Sequence, residues 1–303
     1  MSHEPWKADR ELSDLGVRGA LSEQFPELAL QAIEYLGSGW DYDAYLIDHR
    51  LVVRFPRREE VARRLDREEA ILRFVRSSIG DEARVPEIIV RGQASTHFPY
   101  QFFGHAMIPG VEADDPDVHS SAELATDLGV ALSRIHSIAP DSARAIGIGL
   151  EEERCEARFL ETLERIEMAP GVRDLVPEPL EWIESRPSMP REYAGPARFI
   201  HNDLCSEHIL VDRGSGRLTG IIDWSDAALG DPALDFVGLV FLGGPAFVES
   251  ALSVYRPSLD EGFRERLLFL ARTLSVKWLA DAIRRKRGDV ESHRVWVLNS
   301  FAR

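Results

Sequence analysis

The chain has 303 residues, of which 44% are hydrophobic and 29% charged. That is the composition of an ordinary globular protein with room for one large or two modest domains. A formal net charge of −15 argues against nucleic-acid binding, which needs a basic surface, and an acidic field attracts polycationic small molecules instead. No apolar run approaches a membrane span, Phe236–Leu242 being the densest, and Met1–Lys7 has no apolar signal-peptide core. Two cysteines, Cys155 and Cys205, give neither a disulfide framework nor a zinc cluster. The expected location is the cytoplasm, with no nucleic-acid or membrane partner, as a monomer or weak dimer.

In chain order, Glu11–Leu30 predicts one or two short helices interrupted near Pro26. Gln31–Leu36, Ala44–Ile47 and Leu51–Phe55 read as three short strands, with Gly37-Ser38-Gly39 and Asp48-His49-Arg50 as turns. Glu59–Ser78 lacks Pro and Gly and is apolar at Val61, Leu65, Ile71, Leu72 and Val75, the pattern of an amphipathic helix. Pro86–Val90 and Tyr100–Met107 read as two more strands. Pro109-Gly110 is a break, which predicts a boundary between residues 1–108 and 109–303. Beyond it, helices are predicted over Ala122–Ile138, Glu151–Met168, Leu180–Ser185, Asp231–Leu242, Pro245–Tyr255 and Phe263–Lys286. The expected fold class is therefore α+β, a small β-rich amino-terminal lobe with one helix followed by a larger, mostly helical lobe.

The helical half is interrupted at Phe199–Asp223. There His201-Asn202-Asp203 precedes two runs rich in β-branched and apolar residues, His208–Asp212 and Leu218–Asp223. Arg213-Gly214-Ser215-Gly216-Arg217 between them is turn chemistry. A hairpin folded about Ser215-Gly216 places position 208 opposite position 223, with Asp203 in the loop just before the first strand. The predicted result is a metal pair, His208 and Asp223, beside a third acidic group, which suits a divalent ion that holds phosphate.

This spacing resembles the catalytic loop of the protein-kinase superfamily, in which a metal-binding Asn follows the catalytic Asp by five residues and a second metal-binding Asp comes later. Here the five-residue step from Asp203 lands on His208, and Asp223-Trp224-Ser225 stands where Asp-Phe-Gly would. The segment Ile222–Phe236, with Asp226, Asp231 and Asp235, is similar to the aminoglycoside phosphotransferase family. His-Asn-Asp with His208 in the Asn position most resembles its 2″-aminoglycoside members.

The resemblance implies a bilobal kinase-like fold and a small-molecule kinase that uses ATP or GTP with Mg²⁺. Asp203 would orient and deprotonate an acceptor hydroxyl, and His208 and Asp223 would hold Mg²⁺. Arg54 takes the place of the usual strand Lys on the α- and β-phosphates, with Arg57 and Arg58 nearby. It would be backed by Glu68, with Glu69 as the alternative. Gly37, Ser38 and Gly39 would let backbone N–H groups approach phosphate, and the backbone at Ala106, Met107 and Ile108 would meet the purine. His201 reads as a scaffold residue that bonds backbone. An aminoglycoside acceptor, being cationic, implies carboxylates around it, and the candidates for contacting it are Asp203, Ser206, Glu207, Asp226, Trp278 and Asp281. The rival acceptors are macrolides or metabolite alcohols. More remote readings are a metal-dependent phosphohydrolase using His201, Asp203, His208 and Asp223, and a nucleotide-binding pseudokinase.

Overall fold

The computed structural model describes residues 8–9, 12–80, 82–118, 121–152, 154–285 and 289–302. Residues 1–7, Glu11 and Lys286, which figure in the expectations above, lie outside them. The chain forms two compact units. One runs up to Arg76 and includes Val85–Ile108. The other comprises Ser77–Arg84 and everything from Pro109.

In the first unit, α1 (Asp14–Gln24) starts where the Ser13 hydroxyl accepts the Gly16 N–H. It is followed by β1 (Ile33–Ser38), β2 (Tyr42–Ile47), β3 (Leu51–Pro56), α2 (Glu59–Ala62), α3 (Leu65–Ile79), β4 (Ile88–Gly92) and β5 (Phe102–Ala106). The strands make one antiparallel sheet in the order β1-β2-β3-β5-β4. Its core gathers Val17, Leu21, Tyr45, Val53, Phe55, Phe98 and Phe102, with Phe55 stacked on Phe102 at 4.6 Å between ring centres.

Two expectations are corrected in this unit. Gly37 and Ser38 extend β1 across a bulge, so the turn is Gly39-Trp40-Asp41. The single helix expected over Glu59–Ser78 is two, broken at Arg63-Arg64. The Asp48-His49-Arg50 turn forms as expected. Asp48 and His49 adopt left-handed φ values of 49° and 56°, as a tight hairpin turn demands. The Asp48 carboxylate accepts the N–H groups of Leu30 and Ala32, and these bonds, the Ala32 one foremost, lower its pKa.

The second unit runs β6 (Val111–Glu112), α4 (Ala122–Ile135), α5 (Pro140–Ala145), α6 (Cys155–Glu167), α7 (Val172–Leu175), α8 (Pro177–Glu184), β7 (Arg198–Ile200), a 3₁₀ turn at Ser206–His208, β8 (Ile209–Val211), β9 (Leu218–Ile221), β10 (Ala228–Gly230), α9 (Ala233–Leu252), α10 (Phe263–Arg285) and α11 (Val290–Phe301). Strands β6, β8 and β9 form one small sheet, and β7 pairs with β10. The hairpin register differs from the expectation. Asp212 and Arg217 pair across the turn, Val211 faces Leu218, and a bulge at Thr219 then sets Ile209 opposite Ile221. His208 therefore faces Ile222, whose N–H it accepts at 3.0 Å. Asp223 lies one residue further on, swung back by a left-handed φ of 58°.

Helix α9 is longer than its densest apolar run and is long and apolar enough to cross a membrane. However, 67% of that stretch is buried inside the protein, so it serves as the core helix of this unit. It joins the two helices expected over 231–255, with Gly244 at φ 71° and Pro245 marking a kink between them. Gly238 sits where α9 meets the loop after β7. A Cβ there would lie 1.6 Å from the Leu204 carbonyl oxygen, a backbone atom that cannot move aside. Gly238→Ala is expected to cost about 3 kcal/mol, the upper end of overpacking, which outweighs the roughly 1 kcal/mol that Ala adds to a helix. Thermal unfolding is the measurement, and the midpoint falls by several degrees.

Candidate active site

Strand β7 delivers the chain into His201-Asn202-Asp203, and the loop is tied down at its first residue. Asp235, in the first turn of α9 and fully buried, accepts the His201 N–H at 2.9 Å on Oδ2 and the Asn202 N–H at 2.8 Å on Oδ1. Burial works against this charge, but the His136 ring N–H and the His201 N–H outweigh it and hold the carboxyl below its usual range. Asn202 is left-handed, with φ 68°, so the chain reverses and projects the next residue, Asp203. His201 is buried. Its Nε2 donates to the Ile222 carbonyl at 2.9 Å, and its Nδ1 accepts the Asp203 N–H at 3.3 Å. Burial depresses it to about 4, so near neutrality the ring is an uncharged scaffold between the loop and the hairpin.

Three expected residues converge here. His208 Nδ1 is 2.7 Å from the Asp203 carbonyl oxygen and 3.5 Å from Asp203 Oδ2, while Nε2 is 4.0 Å from Asp223 Oδ2. The short contact to a carbonyl puts a proton on Nδ1 and leaves Nε2 as the nitrogen turned to Asp223. Two metal–ligand bonds of about 2.1 Å can span that 4.0 Å gap, and an Nδ1–H donated to a carbonyl is the usual way a ligand imidazole is held. The donor set therefore fits a divalent cation. Cys205 Sγ lies 3.5 Å from Nδ1, and Asp203, Cys205 and His208 also lie within mutual ligand distance. A thiol suits softer ions than Mg²⁺.

Desolvation pushes the Asp203 carboxyl up to about 7, against the pull of His208 and with help from Asp226, Asp223 and Glu207. Its side chain is nonetheless 45% exposed, which reduces the burial part and gives the neighbouring carboxylates the larger weight. His208 moves well above its usual value: burial opposes its charge, but Cys205, Asp203 and Asp223 more than compensate. A cation bound at Nε2 takes the place of that proton.

Other expected residues are placed differently. Ser206 is fully buried, and its hydroxyl donates to Asp114 Oδ2 at 2.8 Å. It fastens the 3₁₀ turn to the segment after β6, and its hydroxyl proton is already spent there. Asp281 is 3% exposed and paired with Arg165 at 3.7 Å and Arg284 at 3.3 Å, so its charge is satisfied inside the helical bundle. Trp278 on the same helix carries the Lys277 ammonium 5.0 Å from its ring centre. Glu207 and Asp226 are exposed. Glu151 was missed by sequence reading, which placed it at a helix start. It precedes α6 and accepts the Asn202 side-chain N–H at 2.9 Å. Asn202 Oδ1 is buried with no hydrogen-bond partner among the described residues.

In the first unit, Arg54 on β3 pairs with Glu68 of α3 at 2.9 Å and lies over the Tyr42 ring at 4.1 Å. Tyr42 also donates to Glu68 at 2.6 Å. Glu69, the alternative partner, pairs with Arg73 and Arg91 instead. The Ser38 hydroxyl is bound to Asp43, and Arg57 donates to the Gly39 carbonyl at 2.5 Å. The Met107 N–H donates to the Arg50 carbonyl at 2.8 Å, and the Ala106 carbonyl lies 2.9 Å from His105 Nδ1. Ile108, 8% exposed, is buried.

The sequence model of the phosphotransferase enzyme family matches residues 32–269. Viomycin phosphotransferase of Streptomyces vinaceus is 28% identical over 240 residues, covering 76% of this chain and 79% of that protein. The uncharacterized protein YcbJ of Bacillus subtilis is 28% identical over 200 residues, and the match spans 61% of each chain. In fold, the GDP complex of wild-type aminoglycoside 2′-phosphotransferase-IIIa superposes with a TM-score of 0.69 at 23% identity, covering 95% of this chain and 98% of that one. The macrolide 2′-phosphotransferase of Brachybacterium faecium reaches 0.61 at 21%, covering 92% and 97%.

Only the carboxylate form of Asp203 can accept a proton, so a reaction that uses it as the base slows as pH drops through its pKa. With bound cation added to the site, kcat/KM is expected to fall tenfold per pH unit on the acid side of a limb at or below about 7. A rate profile from pH 5 to 9, compared with that of Asp226→Asn, is the measurement. Removing that neighbouring negative charge moves the limb to lower pH.

Proposed function

Because the chain belongs to the phosphotransferase enzyme family, we propose that it is a small-molecule kinase transferring the γ-phosphoryl group of ATP or GTP to a hydroxyl of a cationic, aminoglycoside-type acceptor. The observation that carries this reading is the convergence of Asp203, His208 and Asp223 at the open end of the β8–β9 hairpin. It brings together a carboxylate whose raised pKa lies near neutrality and two groups matched to a divalent cation.

Asp203 orients the acceptor hydroxyl and takes its proton as the oxygen bonds to phosphorus. The nucleoside diphosphate leaves with the electron pair of the broken P–O bond. His208 and Asp223 are the residues that would hold Mg²⁺, which supplies neutralisation of the phosphate charge when bound. Arg54, fixed by Glu68 and Tyr42, presents a planar cation for the α- and β-phosphates. Asp223→Ala is expected to abolish Mg²⁺-dependent nucleotide binding and turnover together, and Asp203→Ala to abolish turnover while sparing nucleotide binding. Arg54→Ala is expected to raise the KM for nucleotide by roughly ten- to a hundredfold, the loss of one charge-assisted contact. Steady-state kinetics and nucleotide titration read out all three.

The acidic surroundings favour a cationic acceptor over a macrolide. Burial raises the pKa of Glu112, and the neighbouring carboxylates of Asp114 and Glu207 add to it, so a positive charge beside this group is favoured. Glu207 and Asp226, both exposed, are the carboxylates proposed to meet the acceptor. Such binding weakens with added salt, since screening limits the field to about 8 Å at 0.15 M. The test is nucleotide consumption with ATP and GTP separately against aminoglycosides, viomycin, macrolides and small alcohols. Turnover with an aminoglycoside or viomycin, with an acceptor KM that rises on Glu207→Ala, is the expected result. Salt-insensitive turnover of macrolides alone would overturn the acceptor class and leave the kinase standing. The reading places the reaction in the cytoplasm, where ATP and GTP are held.

A further inference from the structure

One buried polar chain lies behind the loop and takes no direct part in the chemistry proposed above. His136, the residue after α4, is 1% exposed. Its Nε2 is 2.9 Å from Asp235 Oδ2, and its Nδ1 is 2.8 Å from the Tyr255 hydroxyl, just beyond α9. Both side chains of the His136–Asp235 pair are wholly inaccessible. Asp235 Oδ2 is the same oxygen that receives the His201 N–H, while Oδ1 receives that of Asn202. A carboxylate is an acceptor only, so Nε2 carries the proton toward Asp235, and Nδ1 is hydrogen-bonded to the Tyr255 hydroxyl.

We propose that His136, oriented by Tyr255, is a positioning residue for catalysis: it locks the Asp235 carboxylate in the one orientation that serves both backbone N–H groups of the His201-Asn202 turn, and thereby sets where Asp203 projects. A carboxylate on a two-bond side chain can rotate about its terminal torsion, which is broad and roughly two-fold. The two backbone N–H groups meet one oxygen each, so they define that torsion only while the turn itself keeps its shape. A third donor from a different element removes the freedom. Three elements meet at this point: α4 through His136, which follows it, α9 through Asp235 in its first turn and Tyr255 just beyond its end, and the loop itself. The ring contacts agree with a fixed imidazole, since His136 lies against Phe236 at 6.2 Å and edge-on to Tyr255 at 5.6 Å.

The inference rests on Asp203 being the group that meets the acceptor, so its test includes a readout independent of turnover. His136→Phe keeps a buried ring and removes both nitrogens. His136→Gln keeps a side-chain N–H for Asp235, and Tyr255→Phe removes only the orienting hydroxyl. Hydrogen exchange of the peptide covering residues 199–205 is followed alongside kcat, both KM values and the thermal midpoint. The expected result for His136→Phe is exchange at His201 and Asn202 faster by tenfold or more and kcat lower by roughly ten- to a hundredfold, the penalty of a small misplacement. Nucleotide KM stays constant and exchange elsewhere in the second unit stays slow. His136→Gln restores most of both, and Tyr255→Phe falls between.

Two outcomes overturn the proposal. One is unchanged loop exchange and unchanged kcat in His136→Phe. The other is exchange that rises uniformly across the unit with kcat tracking the folded fraction, because that is core stability alone. If the loop exchanges faster while Asp203→Ala retains normal turnover, the positioning of the loop stands and it is the role given to Asp203 that fails.

Discussion

The Asp235 carboxylate is the interaction on which the rest of the site depends. A bare buried carboxylate costs several kcal/mol and would protonate. Here two backbone N–H groups and an imidazole N–H surround it, and its pKa falls below the usual range despite complete burial. The charge is stable only while the loop keeps its shape, because two of its donors are the loop. The dependence runs the other way too: Asn202 holds a left-handed φ that costs free energy on its own, and the bond to Asp235 offsets it. Loop and helix thus define each other, and Gly238, one turn on along α9, allows the helix backbone close enough for that.

From this anchor the electrostatics of the site follow. Asp223, Asp226 and Glu207 lie close enough to raise the pKa of Asp203, and the imidazole of His208 sits between Asp203 and Asp223. The group is short of positive charge. Asp203 responds by holding its proton more tightly and His208 by gaining one. A divalent ion on the phosphates and a cationic acceptor both relieve the same deficit, so the proposed cofactor and the proposed acceptor class have one physical cause. The first unit shows the opposite economy. Glu68 is satisfied by Arg54 and Tyr42 together, which leaves the planar face of the guanidinium stacked and its direction fixed.

Much of this was legible in the sequence. Alternation of apolar residues and turn chemistry located the strands of the first unit and the β8–β9 hairpin, and helical periodicity located α3, α4, α6, α9 and α10. The short strands β6, β7 and β10 have two or three residues each, too few to establish a period. Helix α11 carried no capping signal that stood out. The register error at the hairpin came from the turn centre: the chain reverses about Gly214-Ser215, one residue earlier than expected, and the bulge at Thr219, which leaves little trace in composition, shifts the partner of His208 only as far as Ile222. The convergence of Asp203, His208 and Asp223 was readable from spacing because all three belong to one local hairpin. Glu151, His136 and Tyr255 come from distant segments, and only the folded chain brings them to Asn202 and Asp235.

The two expected acceptor contacts that the fold places elsewhere, Ser206 and Asp281, refine where recognition can occur. A serine in a 3₁₀ turn beside a catalytic loop reads as exposed, and an acidic residue on a late helix reads as a ligand for amines. Each is instead committed: the Ser206 hydroxyl to Asp114, and the Asp281 carboxylate to two arginines. A group already paired and buried has nothing to give a ligand without breaking its own bonds, at about 1–3 kcal/mol for each partner left unsatisfied. On the proposed reading, recognition of a cationic acceptor then falls to carboxylates with accessible oxygens near Asp203. Glu207 and Asp226 meet that condition directly. Glu151 does not, since its carboxylate is committed to the Asn202 amide and to Arg158 at 3.4 Å. The carboxylates proposed to select the acceptor therefore lie on or beside the loop that Asp235 holds in place, and selection and chemistry share a single anchor.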